Sequence, residues 1–383
     1  MSTEKRNTEM GILTGIAIIL VVLGHLDMNE LSVFGLFPYY SFHVMVFLFI
    51  SGYFYDPANE EHIPGYIGHK ALRLLVPYYI CNVIYGIIST ILSSQGFAFC
   101  TPISFKTLVI EPFLGGHQYG LNFPAWFVPA LFIIEVLNIL GRKVLALIRL
   151  NDETLGRIHA DRDILVFICT LAAGMACVYL AQDGHVWGAY KTPGRILFML
   201  PVYELGRLYR TRLEEKEKRI PDVLCISLIC IVQFIIYICA HGMLNFSAVW
   251  VTSFASFCFV PYLTVITGTW FWLRISRIIS DTSAGRGLDR IGMNSFSIMM
   301  HHVAIFFAIN LVTYAICMRL PENGGFDVAE FHSNVNYAYQ LGGMYAWKCI
   351  YLIAGILIPV LISGSRRYLF QLLPKPSHHR RQY

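Results

Sequence analysis

The sequence predicts an all-α, polytopic membrane protein of about ten transmembrane helices, with both termini in the cytoplasm. Three observations predict it. Hydrophobic residues fill 56% of the chain and charged residues only 14%, where a soluble domain carries closer to a quarter charged. Apolar runs long enough to cross a bilayer, which takes about 20 residues, recur at roughly 10–28, 36–55, 74–94, 124–148, 163–182, 194–210, 221–240, 247–273, 291–316 and 341–364. Lys and Arg then alternate in density between successive loops. With the N-terminus inside, the inner segments hold 24 of the 29 basic residues, and the outer ones hold only Lys106, Lys191, Arg195, Arg319 and Lys348. That asymmetry is the positive-inside signature of a ten-helix frame.

Residues 1–364 read as a single integral membrane domain, and the basic stretch 365–383, ending "KPSHHRRQY", reads as a disordered cytoplasmic tail. The first apolar run has no small-residue cleavage motif after it and reads as a retained helix, not a signal peptide. The ten cysteines lie mostly inside apolar runs such as "CISLICIV", which makes them inert buried thiols. The net charge of +5 comes from this inner-loop bias and does not point to nucleic acid. No water-soluble catalytic domain is appended, so chemistry has to occur in the membrane domain. Two outer loops, 95–123 and 317–340, are long enough to shape an extracytoplasmic site.

Ionisable groups inside the apolar runs are costly and mark function. They are His25, His43, Glu135, Glu204, His301 and His302. His25 closes the first run, "LTGIAIILVVLGHLD", about 22 Å along a helix rising 1.5 Å per residue, and so leans toward the outer side. A neutral imidazole there can accept a proton, as a general base must; the alternative is a packing hydrogen bond. His43 opens the second run near the same level, where it can meet His25 or serve as an interfacial residue. Ser51 and Gly52 permit close helix packing. Trp126 and Phe127 enter the fourth run from outside, a place where Trp anchors at an interface. Glu135 and Glu204 fall near mid-depth, as protonated hydrogen-bonders or as partners of a cation. Ser295 and His302, seven residues apart, share a helix face in "GMNSFSIMMHH". A metal site is not expected, because no acidic or cysteine ligand stands at a short fixed spacing from the histidines.

Five stretches in order resemble the acyltransferase-3 family of integral membrane acyltransferases: "GIAIILVVLGH", "FHVMVFLFISGYFY", "KALRLLVPYYI", "AWFVPALF" and "IGMNSFSIMMHH". Aligning on the serine of the last motif points to His302 over His301, with Asn294 just before it. The "MMHH" form, in a lone membrane domain, is most similar to the branch that O-acetylates polysaccharides. The resemblance implies a bacterial plasma-membrane enzyme with no bound cofactor, an acetyl-CoA donor and a sugar or polysaccharide hydroxyl as acceptor. It implies that His25 acts as base or accepts the acetyl group itself, and that His302 and Ser295 orient the donor or stabilise the oxyanion. His43, Trp126, Glu135, Glu204, His301 and Asn294 then line the substrate pocket. One departure stands out: the family places an arginine eleven positions before the first-helix histidine, where this chain has Thr14. Another cation must serve, and Arg6, Lys70 and Arg73 are the candidates. The competing function is a proton-coupled transporter or flippase, which also uses midplane carboxylates and histidines. The chain shows no inverted repeat of the kind such proteins carry.

Overall fold

The computed structural model describes residues 6–28, 33, 35–147, 162–254 and 257–372. Eleven helices carry the fold: α1 Thr8–Gly24, α2 His43–Tyr53, α3 Ile63–Ser94, α4 Phe127–Leu147, α5 Arg162–Gln182, α6 Lys191–Leu208, α7 Asp222–Cys239, α8 Val260–Ile278, α9 Ser283–Gly292, α10 Ser295–Cys317 and α11 Lys348–Leu372. Among the described residues β pairing is limited to two isolated bridges, Val33–Phe37 and Ser247–Thr252. The ten cysteines are unpaired.

Every one of the ten apolar runs carries a helix, and among the described residues six helical segments are long and apolar enough to cross a membrane: Ile63–Ser94, Gly120–Leu145, Asp163–Gln182, Asp222–Cys239, Ser295–Cys317 and Tyr345–Gly364. The other four runs correspond to α1, α2, α6 and α8. These helices are shorter or more polar because their neighbours are protein. In α1 most residues are buried, and α6 and α8 bury arginines, a glutamate and threonines inside the molecule. By contrast α5 and α7 are only 17% buried over their apolar windows, the profile of an outer wall.

Three runs are broken where the sequence reads continuous. Residues 36–42 form a loop and a single 3₁₀ turn before α2. The segment 247–254 is irregular, with Val251 and Ser253 in the left-handed region, and α8 starts only at Val260, where Pro261 fits the first turn. The run 291–316 is split at Met293–Asn294 into α9 and α10; the Asn294 amide donates to the Arg290 carbonyl across the break (2.7 Å). Past position 364, where a tail was expected to begin, α11 continues to Leu372; residues 373–383 lie outside the described residues.

Two helix ends explain where the chemistry-bearing residues sit. At its start α1 is capped by Asn7, whose side chain accepts from the Met10 amide (3.1 Å) and donates to Tyr53 at the end of α2 (3.0 Å). At its finish the Gly24 carbonyl, which has no helical partner, accepts from the Tyr40 hydroxyl (2.9 Å). Asp27 then turns the chain through a left-handed conformation. His25 is therefore the C-cap residue of α1, fixed at a helix end inside the protein.

Backbone contact between α2 and α6 depends on two glycines. A Cβ at Gly52 would overlap the Tyr203 carbonyl, and one at Gly206 would overlap the Phe49 carbonyl. The close approach expected at Gly52 is thus a direct helix–helix contact. Gly52→Val forces the pair apart at a cost of roughly 3 kcal/mol. The expected result is a sharp drop in the monodisperse fraction after detergent extraction; an unchanged elution profile would contradict the contact.

The long loops 95–123 and 317–340 pack on each other through Phe97, Tyr119, Phe326, Phe331 and Tyr339. His332 stacks on Phe97 with ring centroids 4.3 Å apart. This lobe packs on α3 and α10 through Tyr85, Phe307 and Cys317.

Candidate active site

A cavity of about 600 Å³ runs between α1, α2, α3, α4 and α10. One end is walled by Thr14, Arg73 and Ser295, the other by His25, Tyr40, His43 and the segment Asn245–Val249 with Ser253. Thr14 and His25 lie on one helix eleven residues apart. That is close to three turns, so both face the cavity, about 16 Å apart. Between the ends the lining is apolar and aromatic: Ile18, Val21, Phe47, Ile50, Trp126 and Leu131.

At the far end two histidines separated by most of the sequence come together. The His25 ring stacks on His302 (centroids 5.2 Å, 29° between planes) and meets the edge of Phe123 at 4.8 Å. His302 is fully buried, and its Nδ1 lies 2.7 Å from the Ile298 carbonyl. A carbonyl only accepts, so Nδ1 carries the proton and Nε2 is left with its lone pair. That Nε2 has no hydrogen-bond partner. His43 repeats the arrangement at the first turn of α2, with Nδ1 2.5 Å from the Tyr39 carbonyl. Two cavity-end imidazoles are thus held in a known tautomer by backbone carbonyls, and His25 stands between the cavity and His302. Among the described residues no three His, Cys, Asp or Glu side chains are grouped to hold a metal ion.

At the near end the three candidate cations separate. Arg6 pairs with Asp289 and does not line the cavity. Lys70 pairs with Glu135 at 2.6 Å, which also occupies that carboxylate. Arg73 lines the cavity and makes no ion pair within 4 Å among the described residues; the carboxylate its charge reaches, Glu135, is already paired with Lys70. It sits in a π-helical turn, Ala71–Leu75, where the Val76 amide reaches back to the Ala71 carbonyl. Pro77, which follows, has no amide hydrogen to continue an ordinary α pattern, and such wide turns recur at functional sites. Ser295, the first residue of α10, and Thr14 share this end with Arg73. The Thr14 hydroxyl is committed to the Met10 carbonyl at 2.7 Å.

Like Glu135, three other candidate residues stand apart from the cavity wall. The Glu204 carboxylate is held by Arg142 and Asn138, and Arg142 also bonds Asp163 at 2.8 Å. Arg207 reaches the same Asp163 at 3.1 Å. Glu204 is therefore the buried hub of a network joining α4, α5 and α6. Its removal leaves the buried Arg142 with Asp163 as its remaining carboxylate and costs roughly 3 kcal/mol. For Glu204→Ala we expect a lower thermal unfolding midpoint with turnover per folded molecule preserved; loss of turnover at an unchanged midpoint would assign it to the chemistry instead. His301, next to His302, points elsewhere and bonds the Tyr85 hydroxyl at 2.7 Å. Asn294 spans the α9–α10 break described above. Trp126, in contrast, is buried in the cavity wall and not displayed at a surface.

Sequence reasoning missed Phe123, Tyr40 and the 245–253 segment. Their contribution is a place in a turn or loop, for which periodicity gives no signal. It also passed over Arg195, counted only as an outer-loop charge, although an arginine inside an apolar run was visible.

Comparison with protein families matches residues 7–364 to a family described as an acyltransferase domain. Comparison with curated proteins and with solved structures returned no match.

Proposed function

Because the chain belongs to the acyltransferase-3 family of membrane acyltransferases, we propose that it moves an acetyl group from acetyl-CoA to a hydroxyl of a cell-surface polysaccharide or its lipid-linked precursor. One observation carries this reading: a single cavity joins an unpaired cation, Arg73, to a histidine pair, His25 and His302. The bias of Lys and Arg toward alternate loops supports an orientation with the Arg73 end in the cytoplasm, where coenzyme A is found, and the His25 end toward the outside, where the glycan is assembled. The cell membrane of a bacterium is the setting this implies.

In this reading Arg73 binds a phosphate of coenzyme A, a task suited to a guanidinium. The apolar middle of the cavity takes the pantetheine arm and brings the thioester toward His25. A sugar hydroxyl entering at the other end gives its proton to the His25 imidazole as its oxygen attacks the thioester carbonyl carbon. The carbon–sulfur bond then breaks, the acetyl ester stays on the sugar, and the coenzyme A thiolate leaves and takes up the proton. His302 supports His25 by packing: its Nδ1 is tied to the Ile298 carbonyl, which fixes the ring on which the His25 imidazole stacks. Ser295, at the start of α10, is placed to orient the donor.

The test is purified protein in detergent with radiolabelled acetyl-CoA and a panel of candidate glycans. Label released from the glycan by mild base supports the reading. A transporter or flippase gives no such ester, since detergent leaves no second compartment.

A further inference from the structure

The outer end of the cavity is flanked by two cations that make no ion pair within 4 Å among the described residues. Lys191 and Arg195 stand one turn apart on α6. Arg195 is only 3% exposed. Its Nε and Nη2 donate to the Val249 carbonyl (3.0 and 2.7 Å), Nη2 also reaches the Gly115 carbonyl (3.2 Å), and its carbon lies 4.8 Å from the centre of the Trp126 ring. Its partners are neutral, and Nη1 makes no hydrogen bond among the described residues. Lys191 lies 4.1 Å from the centre of the Trp250 ring and 5.7 Å from that of Trp187. The nearby carboxylate, Glu111, is shared with Lys106 at 3.6 Å. Three cations therefore face one carboxylate. His117, stacked on Trp250 at 4.7 Å, adds no fourth: burial, then Arg195 and Lys191, push it down to about 3.

A buried cation without a counter-charge is costly and marks a place where a partner arrives. We propose that Lys191, with the buried charge of Arg195 behind it, forms an anion subsite for the acceptor, so that the sugar carries a carboxylate or phosphate that docks on Lys191 while a hydroxyl reaches His25. This rests on the acyl-transfer reading above. The geometry favours a glycan over a phospholipid headgroup. Arg195 is sealed behind Trp126, which lines the cavity, and the Val249 carbonyl it holds belongs to the same wall. The aromatic faces beside it supply the apolar surface a sugar ring packs on, and cation–π contacts keep Lys191 in place until an anion arrives.

Binding by the full-length protein in phosphatidylcholine nanodiscs at low salt tests this, with trigalacturonate, galactose 1-phosphate and neutral galactotriose as probes. At least one anionic probe should bind about tenfold more tightly than galactotriose, and which one does so tells carboxylate from phosphate. Lys191→Gln should remove most of that preference and Lys191→Arg should keep it. Equal or absent binding of all three probes, or an undiminished preference in Lys191→Gln, overturns the subsite. So does displacement of the probes by phosphatidylglycerol in the disc, which assigns the cations to a lipid headgroup. Binding is read without turnover, so the two claims fail separately. Anion binding without acetyl transfer would sink the acyltransferase reading alone, and acetylation indifferent to acceptor charge would sink the subsite alone.

Discussion

His25→Ala should lower acetyl transfer at least 100-fold while the protein remains folded, since a placed general base contributes roughly 100- to 10,000-fold. The expectation follows from position. His25 lines the cavity at the end of α1, its ring is backed by His302 and edged by Phe123, and no carboxylate lines that wall to take over as base. The fold should survive, because the α1 end is held by the Tyr40 hydroxyl on Gly24 and by backbone bonds, none of which uses the imidazole. His302→Ala should cost less, because His302 acts through His25. Matched amounts of each variant, assayed with saturating acetyl-CoA and checked by size-exclusion profile, decide the matter. His25→Ala turning over at the wild-type rate would remove it from the chemistry.

The second large effect concerns the donor. Arg73→Ala should raise the KM for acetyl-CoA about tenfold, worth about 1.4 kcal/mol, with a smaller change in kcat. The structure sharpens the expectation because it gives the other two candidate cations to Asp289 and Glu135. Thr14 and Arg73 line the same end of the cavity, and the family places its arginine at the Thr14 position. Thr14→Arg in the Arg73→Ala background should therefore restore much of the lost affinity. An unchanged KM in the single variant, or no rescue in the double, would take the donor phosphates away from this end.

Much of this fold could be read from the sequence because apolar runs mark helices whether they face lipid or protein. The same indifference is why spans and helices are different tallies. α1, α2, α6 and α8 are apolar enough to be read as membrane-crossing, and in the folded chain their apolar faces are packed by other helices. The stretch 247–259 misleads for a related reason. It is apolar throughout, but Val251 and Ser253 adopt left-handed conformations that no propensity announces, and helix begins only near Pro261.

The site was half legible. Single motifs singled out His25, His302, Ser295 and Trp126; His25, Ser295 and Trp126 line one cavity at different places along it, and His302 stacks on His25. What the sequence lacked was pairing. Glu135 and Glu204 read as functional because they are charged in apolar runs, but their charges are met by Lys70 and Arg142, whose positions along other helices only the folded chain relates. Conversely, Arg195 looked like one more loop charge until its surroundings proved to contain carbonyls, an indole face and no carboxylate of its own.

The central claim is that one cavity carries an acetyl group from a donor at the Arg73 end to an acceptor at the His25 end. Proteoliposomes test it most directly, with labelled acetyl-CoA supplied only on the side of the cytoplasmic loops and a glycan acceptor trapped on the opposite side. The account predicts labelled ester on the trapped glycan, with coenzyme A remaining on the side where it was supplied. Ester formed only when donor and acceptor share a compartment would contradict it.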